Sequence, residues 1–258
     1  MKQFLRLRLE KCGDARFISH LDFMRTLARA FVRADIPVAL SQGFNPHPRF
    51  SLAVALPMGA TGEAEFADLE LDRRCDALEL ARRLNRVLPS GIRVRQVQEL
   101  PPQSPPLESQ VGAIRWLLWV WLRPPVGGGT VGEEQLRRAI SDLLARSSLP
   151  VTRERGGKTR TLEARPLILS ARVSPASGQD TTGGMALDVL LAVGEQSLRP
   201  AEFAALLAAE GGWQVERLRI HRLQVYARRQ GELVDPWQLG QEAWRDYHRE
   251  RGVRFFEE

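Results

Sequence analysis

The sequence predicts an α+β fold of two tandem ferredoxin-like (βαββαβ) units followed by a short C-terminal helical tail. Three observations carry this expectation. Hydrophobic periodicity over the first hundred residues runs strand, helix, two strands, helix, strand. A stretch with four prolines, PPQSPPLESQ at 101–110, follows as a stiff polar linker. The rest repeats the same order in outline, by architecture more than by visible identity.

The elements follow in order. Phe4, Leu5, Leu7 and Leu9 interleave with Arg6, Arg8 and Glu10, the period-2 pattern of a half-buried strand. Ser19 with Asp22 three residues on reads as a helix N-cap. Leu21, Met24, Leu27, Ala28 and Phe31 then recur at helical spacing, and Asp22, Arg25, Arg29 and Arg33 share the opposite face. The helix stops before Ile36-Pro37. Strands are expected at 38–40, 50–56, 63–72 and from Ile92, with a helix at 77–88. Beyond the linker come a strand at 114–122, a helix at 133–146 and a hairpin-like stretch at 151–173 around Gly156-Gly157. A strand at 185–193, a helix at 200–210 and a last strand at 215–228 complete the second unit. The expected domains are thus 1–100, the linker 101–110, 111–229, and a tail 230–258 with Trp237, Trp244, Tyr247 and Phe255-Phe256.

Composition excludes several classes. At 258 residues, 43% hydrophobic and 26% charged, the chain is of globular type and long enough to bury roughly 70–75% of its unfolded surface. No apolar run approaches the ~18–20 residues of a membrane helix, and the amino-terminal residues do not read as a signal peptide, so no membrane partner is expected. Two distant cysteines, Cys12 and Cys75, argue for a reducing, cytoplasmic setting. They also argue against a four-cysteine zinc site, and neither a cofactor nor a resident metal is expected.

Lys and Arg number 37 against 31 acidic residues. Only Lys2, Lys11 and Lys158 are lysines, which leaves 34 arginines. The surplus is uneven. Residues 1–100 hold 16 basic and 12 acidic residues, 153–172 hold 6 and 2, and 216–229 hold 5 and 1. By contrast 173–215 hold 1 and 5, and 230–258 hold 4 and 7. This placement favours a nucleic-acid surface more than a general arginine bias would.

The densest set of polar side chains lies in the first unit. Arg16, His20, Asp22 and Arg25 flank the start of the first helix, and Gln42, Asn45, His47 and Arg49 stand in the loop SQGFNPHPR. If these loops meet at one end of the sheet, the set suits a phosphate or a polar planar group. Asp22 is equally explained by capping alone, and the Arg25, Arg29, Arg33 stripe by a solvated helix face. Arg153, Arg155, Lys158, Arg160 and Arg165 form a basic finger able to lie along a nucleic-acid backbone. Gly127–Gly129 before a helix is a weak phosphate-cradle signal, since no Lys-Ser/Thr follows. Trp116, Trp119 and Trp121 fall on both faces of one strand, where core packing is the default and base stacking the alternative.

The motifs GDARFISHLDFMRTLARAF and SQGFNPHPR resemble the radical SAM-linked protein family, bacterial domains fused to or encoded beside B12-binding-type radical SAM proteins. The resemblance covers residues 1 to about 200 and is specific in those two motifs. It implies Arg16, Phe17, His20, Asp22, Arg25, Gln42, Gly43, Asn45, Pro46, His47 and Arg49 as signature positions, without assigning their roles. With no Cys-x3-Cys-x2-Cys in the chain, any radical chemistry would belong to a separate partner chain.

The function expected is therefore an RNA-binding accessory protein, for tRNA or rRNA, that presents substrate to a radical SAM enzyme. Arg29, Arg33, Arg153, Arg155, Lys158 and Arg160 would contact phosphates, and Arg16, His20, Asp22, Arg25, Gln42, Asn45, His47 and Arg49 would form the binding cluster. One alternative is a metal-independent endoribonuclease using His20 or His47 as general acid or base, on an architecture like that of the CRISPR repeat-processing endoribonucleases. Another is a protein–protein adaptor without nucleic acid.

Overall fold

The computed structural model describes residues 2–102, 104–125, 130–175 and 184–250, without the side chains of Arg155 and 248–250. The fold is mixed α+β, with five α-helices among the described residues and a large, mostly antiparallel sheet. The chain divides into two compact units, Met1–Val111 with Gln224–Glu258, and Gly112–Leu223.

In the first unit β1 (Gln3–Lys11) lies between β3 (Thr61–Leu71) and β4 (Ile92–Leu100), antiparallel to both. The short β2 (Phe50–Leu52) pairs antiparallel with β3 at residues 67–69. Helix α1 (His20–Arg33) connects β1 towards β2, and α2 (Ala77–Val87) connects β3 to β4. Their starts are capped: Ser19 Oγ accepts the Asp22 N–H, and Asp76 accepts the Glu79 N–H. Leu5, Leu7 and Leu9 point one way along β1 and are fully buried with Phe23, Leu27, Leu80 and Leu84. That alternation is what the sequence pattern demanded.

The other face of β1 is covered too, and this changes two expectations. Residues 101–110 are not a free linker. Leu107 is 1% exposed in a single helical turn, Leu107–Gln110, because its apolar side chain has a core to enter and its N–H finds the Asp68 carboxylate at 2.9 Å. The C-terminal residues do not stand apart as a tail. β11 (Glu232–Val234) and α5 (Pro236–Glu250) belong to the first unit, where Trp237 and Leu239 pack on a small cluster with Phe66, Leu107 and Val225. The units are therefore drawn differently from the expected 1–100, 101–110, 111–229 and 230–258. Residues 38–40 also differ, forming only isolated bridges, Val38 with Leu71 and Leu40 with Pro48. Pro48 has no N–H to extend a ladder.

The second unit takes most of β5 (Val111–Arg123), then α3 (Glu133–Ala145), β8 (Ile168–Val173), β9 (Met185–Ala192), α4 (Pro200–Glu210) and the first part of β10 (Gln214–Arg229). Its strand order is β10-β5-β9-β8. Between α3 and β8 stands a separate two-stranded hairpin, β6 (Pro150–Arg155) and β7 (Lys158–Glu163). Gly156 and Gly157 have φ of 57° and 73°, the paired left-handed conformation of a two-residue hairpin turn, which glycine adopts without strain.

Candidate nucleic-acid interface

At the start of α1, His20 is the first helical residue and half-buried. Asp22 accepts from the Ser19 hydroxyl at 2.7 Å and from Arg25 at 3.3 Å. The Ser19 hydrogen bond, and after the opposing effect of burial the Arg25 hydrogen bond and the Arg25 and Arg29 charges, hold its carboxyl below the usual range. Asp22 thus holds the hydroxyl of the Ser19 cap, at the spacing from Ser19 that the sequence shows. Arg16 lies 4.6 Å from the Phe17 ring, and its carbonyl accepts the Gly59 N–H.

The loop between α1 and β2 is closed on itself. Ser41 N–H donates to the His47 carbonyl at 2.8 Å, and His47 N–H donates to Ser41 Oγ at 2.9 Å. Gln42, Gly43, Phe44, Asn45, Pro46 and His47 are all exposed between those ties. Phe44 is exposed to 107% of its reference area, so its ring touches almost nothing of the protein. Arg49, at the foot of the loop, pairs with Glu70 at 3.1 Å. His47 and Arg49 line a cavity of about 540 Å³ together with Ser41, Asp68 and Glu70.

These two sets do not converge. Lys11 Nζ donates to the Ile18 carbonyl, which ties the His20 end of α1 to the last residue of β1. Glu70, the partner of Arg49, sits opposite Phe4 near the beginning of the same strand. Seven residues of strand separate these anchors, about 23 Å. The reason is the connection itself: a helix returning along a sheet carries the loops before and after it to opposite ends. Arg16, His20, Asp22 and Arg25 therefore lie at one end, and Gln42, Asn45, His47 and Arg49 at the other.

A third set joins the two helices. Arg29 and Arg33 on α1 and Arg86 on α2 line one groove of about 380 Å³ with Thr26, Val87 and Leu88. None of the three makes an ion pair or hydrogen bond among the described residues. Their neighbours do: Arg25 with Asp22, and Arg83 with Asp35. Arg86 was not among the residues singled out from sequence, although Arg82 and Arg86 at i and i+4 on α2 carry the same signal as Arg29 and Arg33.

The basic finger is only partly available. Arg153 donates to both Glu202 oxygens, at 2.7 and 2.6 Å, and to the Ser197 carbonyl. Arg165 donates to the Leu144 and Ile168 carbonyls. Those two guanidinium groups hold the hairpin and its flank in place. Lys158 and Arg160 are exposed and, with Arg199, line an open cavity of about 660 Å³. The Arg155 and His248 side chains, Phe255-Phe256 and Gly127–Gly129 lie outside the described residues. Among the described residues no three His, Cys, Asp or Glu side chains gather as a metal site, and no helix is long and apolar enough to cross a membrane.

No curated protein matches the chain. Among solved structures it is similar to a chain of a Cbf5–Nop10–Gar1 complex, with 10% identity and a TM-score of 0.48 over 98% of this chain and 57% of that one. It is likewise similar to a chain of the archaeal box H/ACA sRNP Nop10–Cbf5 complex, with 10% identity and a TM-score of 0.43 over 96% and 56%. A Cas6 substrate-mimic complex matches at 19% identity and a TM-score of 0.20 over 81% and 88%. The chain spans little more than half the length of the first two. Residues 5–200, three quarters of the chain, match the family described as an uncharacterized protein conserved in bacteria (DUF2344), and the chain belongs to that family.

Proposed function

We propose that this protein binds RNA in the cytoplasm and presents it to a separate radical SAM enzyme. The observation that carries the RNA reading is the groove of Arg29, Arg33 and Arg86. Three guanidinium groups that line one groove and make no ion pair or hydrogen bond among the described residues repel one another, and a polyanion relieves that repulsion while releasing its counterions. The closed loop adds a second element. Phe44 offers a bare ring for base stacking, and Gln42, Asn45 and His47 offer donors and acceptors beside it. The radical SAM partner rests on the resemblance of GDARFISHLDFMRTLARAF and SQGFNPHPR alone. We read the strand orders β4-β1-β3-β2 and β10-β5-β9-β8 as two ferredoxin-like units, each a scaffold for one surface.

The test is crosslinking in cells followed by sequencing of the RNA that co-purifies, with the R29A/R33A/R86A variant in parallel. Enrichment of particular tRNA or rRNA species, lost in the variant, is expected. Recovery of no enriched species, or equal recovery with the variant, overturns the reading. Co-purification of a radical SAM enzyme from the same cells tests the second half of the proposal, and its absence removes that half.

A further inference from the structure

The hairpin of the second unit has two unlike faces. Its register sets Val151 opposite Leu162, Arg153 opposite Arg160 and Arg155 opposite Lys158, so these positions share one face. Thr152 with Thr161 and Glu154 with Thr159 fall on the other. The first face is anchored at its base, where Leu162 is 4% exposed and Val151 half-buried. Further along, Arg153 donates to Glu202 in the first turn of α4 and to the Ser197 carbonyl, which holds this face against the loop before α4.

Towards the turn the same face carries like charges that the fold leaves unanswered. Arg153 and Arg160 stand directly opposite each other, an arrangement that weakens a strand pair. Glu202 neutralises Arg153, and both of its oxygens are occupied, by Arg153 and by the Arg199 N–H. The side chains of Lys158, Arg160 and Arg199 make no ion pair or hydrogen bond among the described residues. These three cations line one cavity of about 660 Å³ between the hairpin and residues 195–199, with Gln196 beside them. A cavity of several hundred Å³ has room for a small organic ligand. None of its lining residues is aromatic, so a ligand is held there by charge and hydrogen bonds and not by stacking. Two carboxylates also line it: Glu154, which belongs to the other face of the hairpin, and Glu195, which opposes an anion.

We infer that this cavity binds a phosphomonoester, the terminal phosphate of a nucleotide, with Lys158, Arg160 and Arg199 on its oxygens. Such a group carries about −1.5 to −2 charges and three strong acceptor oxygens, which suits three cationic donors that have no partner of their own. Guanidinium groups meet phosphate oxygens with paired hydrogen bonds, and the lysine adds a point charge. The nucleotide is free in solution or is the first residue of an RNA chain, and the terminal phosphate is the same in both. The site belongs to the second unit alone and stands without the RNA reading above.

Isothermal titration calorimetry on the full chain measures binding of adenosine 5′-monophosphate and of adenosine. The wild type is expected to bind the monophosphate and not adenosine, with inorganic phosphate competing. R160A/R199A should weaken that binding by about tenfold or more, for two lost charged donors. R160K/R199K keeps the charge and should recover part of the affinity, and E195Q removes the opposing carboxylate and should tighten binding. Far-UV circular dichroism and thermal melts check folding. No binding of the monophosphate by the wild type overturns the inference, as does equal affinity for adenosine. Wild-type affinity in R160A/R199A, or weaker binding in E195Q, overturns it too. Oligoadenylates with a 5′-phosphate or a 5′-hydroxyl then tell the two sources apart. A preference for the phosphorylated chain, lost in R160A/R199A, puts an RNA 5′ end in the cavity; equal binding of the two leaves the free nucleotide as the ligand. Failure of the RNA reading is distinct: neither oligoadenylate then binds, while the monophosphate still does.

Discussion

Arg6 on β1 and Asp68 on β3 stand directly opposite each other and form a two-pronged ion pair, Nε at 2.7 Å and Nη2 at 2.8 Å from the two carboxylate oxygens. The Arg6 side chain is 2% exposed. Its remaining Nη1 donates to the Pro236 carbonyl, and Asp68 also accepts the Leu107 N–H. One pair therefore holds both the proline-rich stretch and the start of α5 against the sheet. Asp68→Ala would strand a buried guanidinium and is expected to cost about 3–5 kcal/mol. Arg6→Met with Asp68→Leu should recover most of that loss, because it removes both charges together. Urea unfolding followed by tryptophan fluorescence measures both variants; a loss below about 1 kcal/mol for Asp68→Ala would show that the pair does not anchor these segments.

The groove of Arg29, Arg33 and Arg86 predicts effects on binding without effects on folding. Each arginine is exposed and makes no ion pair or hydrogen bond among the described residues, so single alanine variants should stay within about 0.5 kcal/mol of wild-type stability. Each should also reduce the salt slope of RNA binding by about 0.7 on single strands or about 0.9 on duplex. Arg83→Ala serves as the contrast, since Arg83 is engaged by Asp35. If Arg83→Ala changes the slope as much as Arg86→Ala does, the groove has no special standing.

Phe44 makes the sharpest prediction for the loop. Its ring is bare, so Phe44→Ala should leave the melting temperature almost unchanged. Lost stacking of one base costs about 1–3 kcal/mol, or roughly 5- to 150-fold in Kd. Phe44→Trp should retain or improve binding. Equal affinity for Phe44→Ala and wild type, measured by fluorescence anisotropy with a loop-containing RNA, would remove the stacking role.

How much of this was legible in the sequence depends on whether local or distant chemistry decides. Ser19 caps α1 with Asp22 at the spacing the sequence shows, and α4 occupies the expected residues 200–210, with Pro200 in its first turn. Long-range pairing was not readable. Nothing near PPQSPPLESQ in the chain shows that Asp68 will accept the Leu107 N–H, so a stretch anchored at Leu107 reads as a linker. Arg153 reads as a free finger cation because Glu202, its partner, is 49 residues away. Phe44 was passed over because an aromatic residue is expected inside, and its exposure follows from the reciprocal bonds that close the loop between Ser41 and His47. The expected meeting of His20 with His47 failed on topology, since the two loops flank one helix.

Asp188 ties stability to pH. The Arg115 hydrogen bond, and after the opposing effect of burial the Arg172 bond, hold its carboxyl below its ordinary value near 3.9. The folded form therefore binds its proton less readily than the unfolded form. The stabilisation is present in full above about pH 5 and falls away as pH drops through about 4 towards the lower folded value. Urea midpoints of the wild type should decline over that window. Asp188→Asn, less stable at neutral pH, should show a shallower decline, and parallel curves for the two proteins would sink the assignment.

The separation of His20 from His47 makes a prediction about chemistry. Metal-independent RNA cleavage by two histidines needs both within hydrogen-bond reach of one phosphodiester, one to accept a proton and one to donate it. Anchors about 23 Å apart along β1 exclude that for this pair. Any cleavage of bound RNA in EDTA should therefore not require both histidines, so His20→Ala and His47→Ala should not both abolish it. His47→Ala should still weaken binding, because the imidazole lines the cavity beside Arg49, while the loop survives through the His47 backbone bonds to Ser41. His20→Ala, at the far end of α1, should leave RNA held at the loop unaffected. Gel analysis of end-labelled RNA decides the matter: cleavage lost in both variants would mean that the two histidines meet in the bound state and that the end-to-end separation does not hold there.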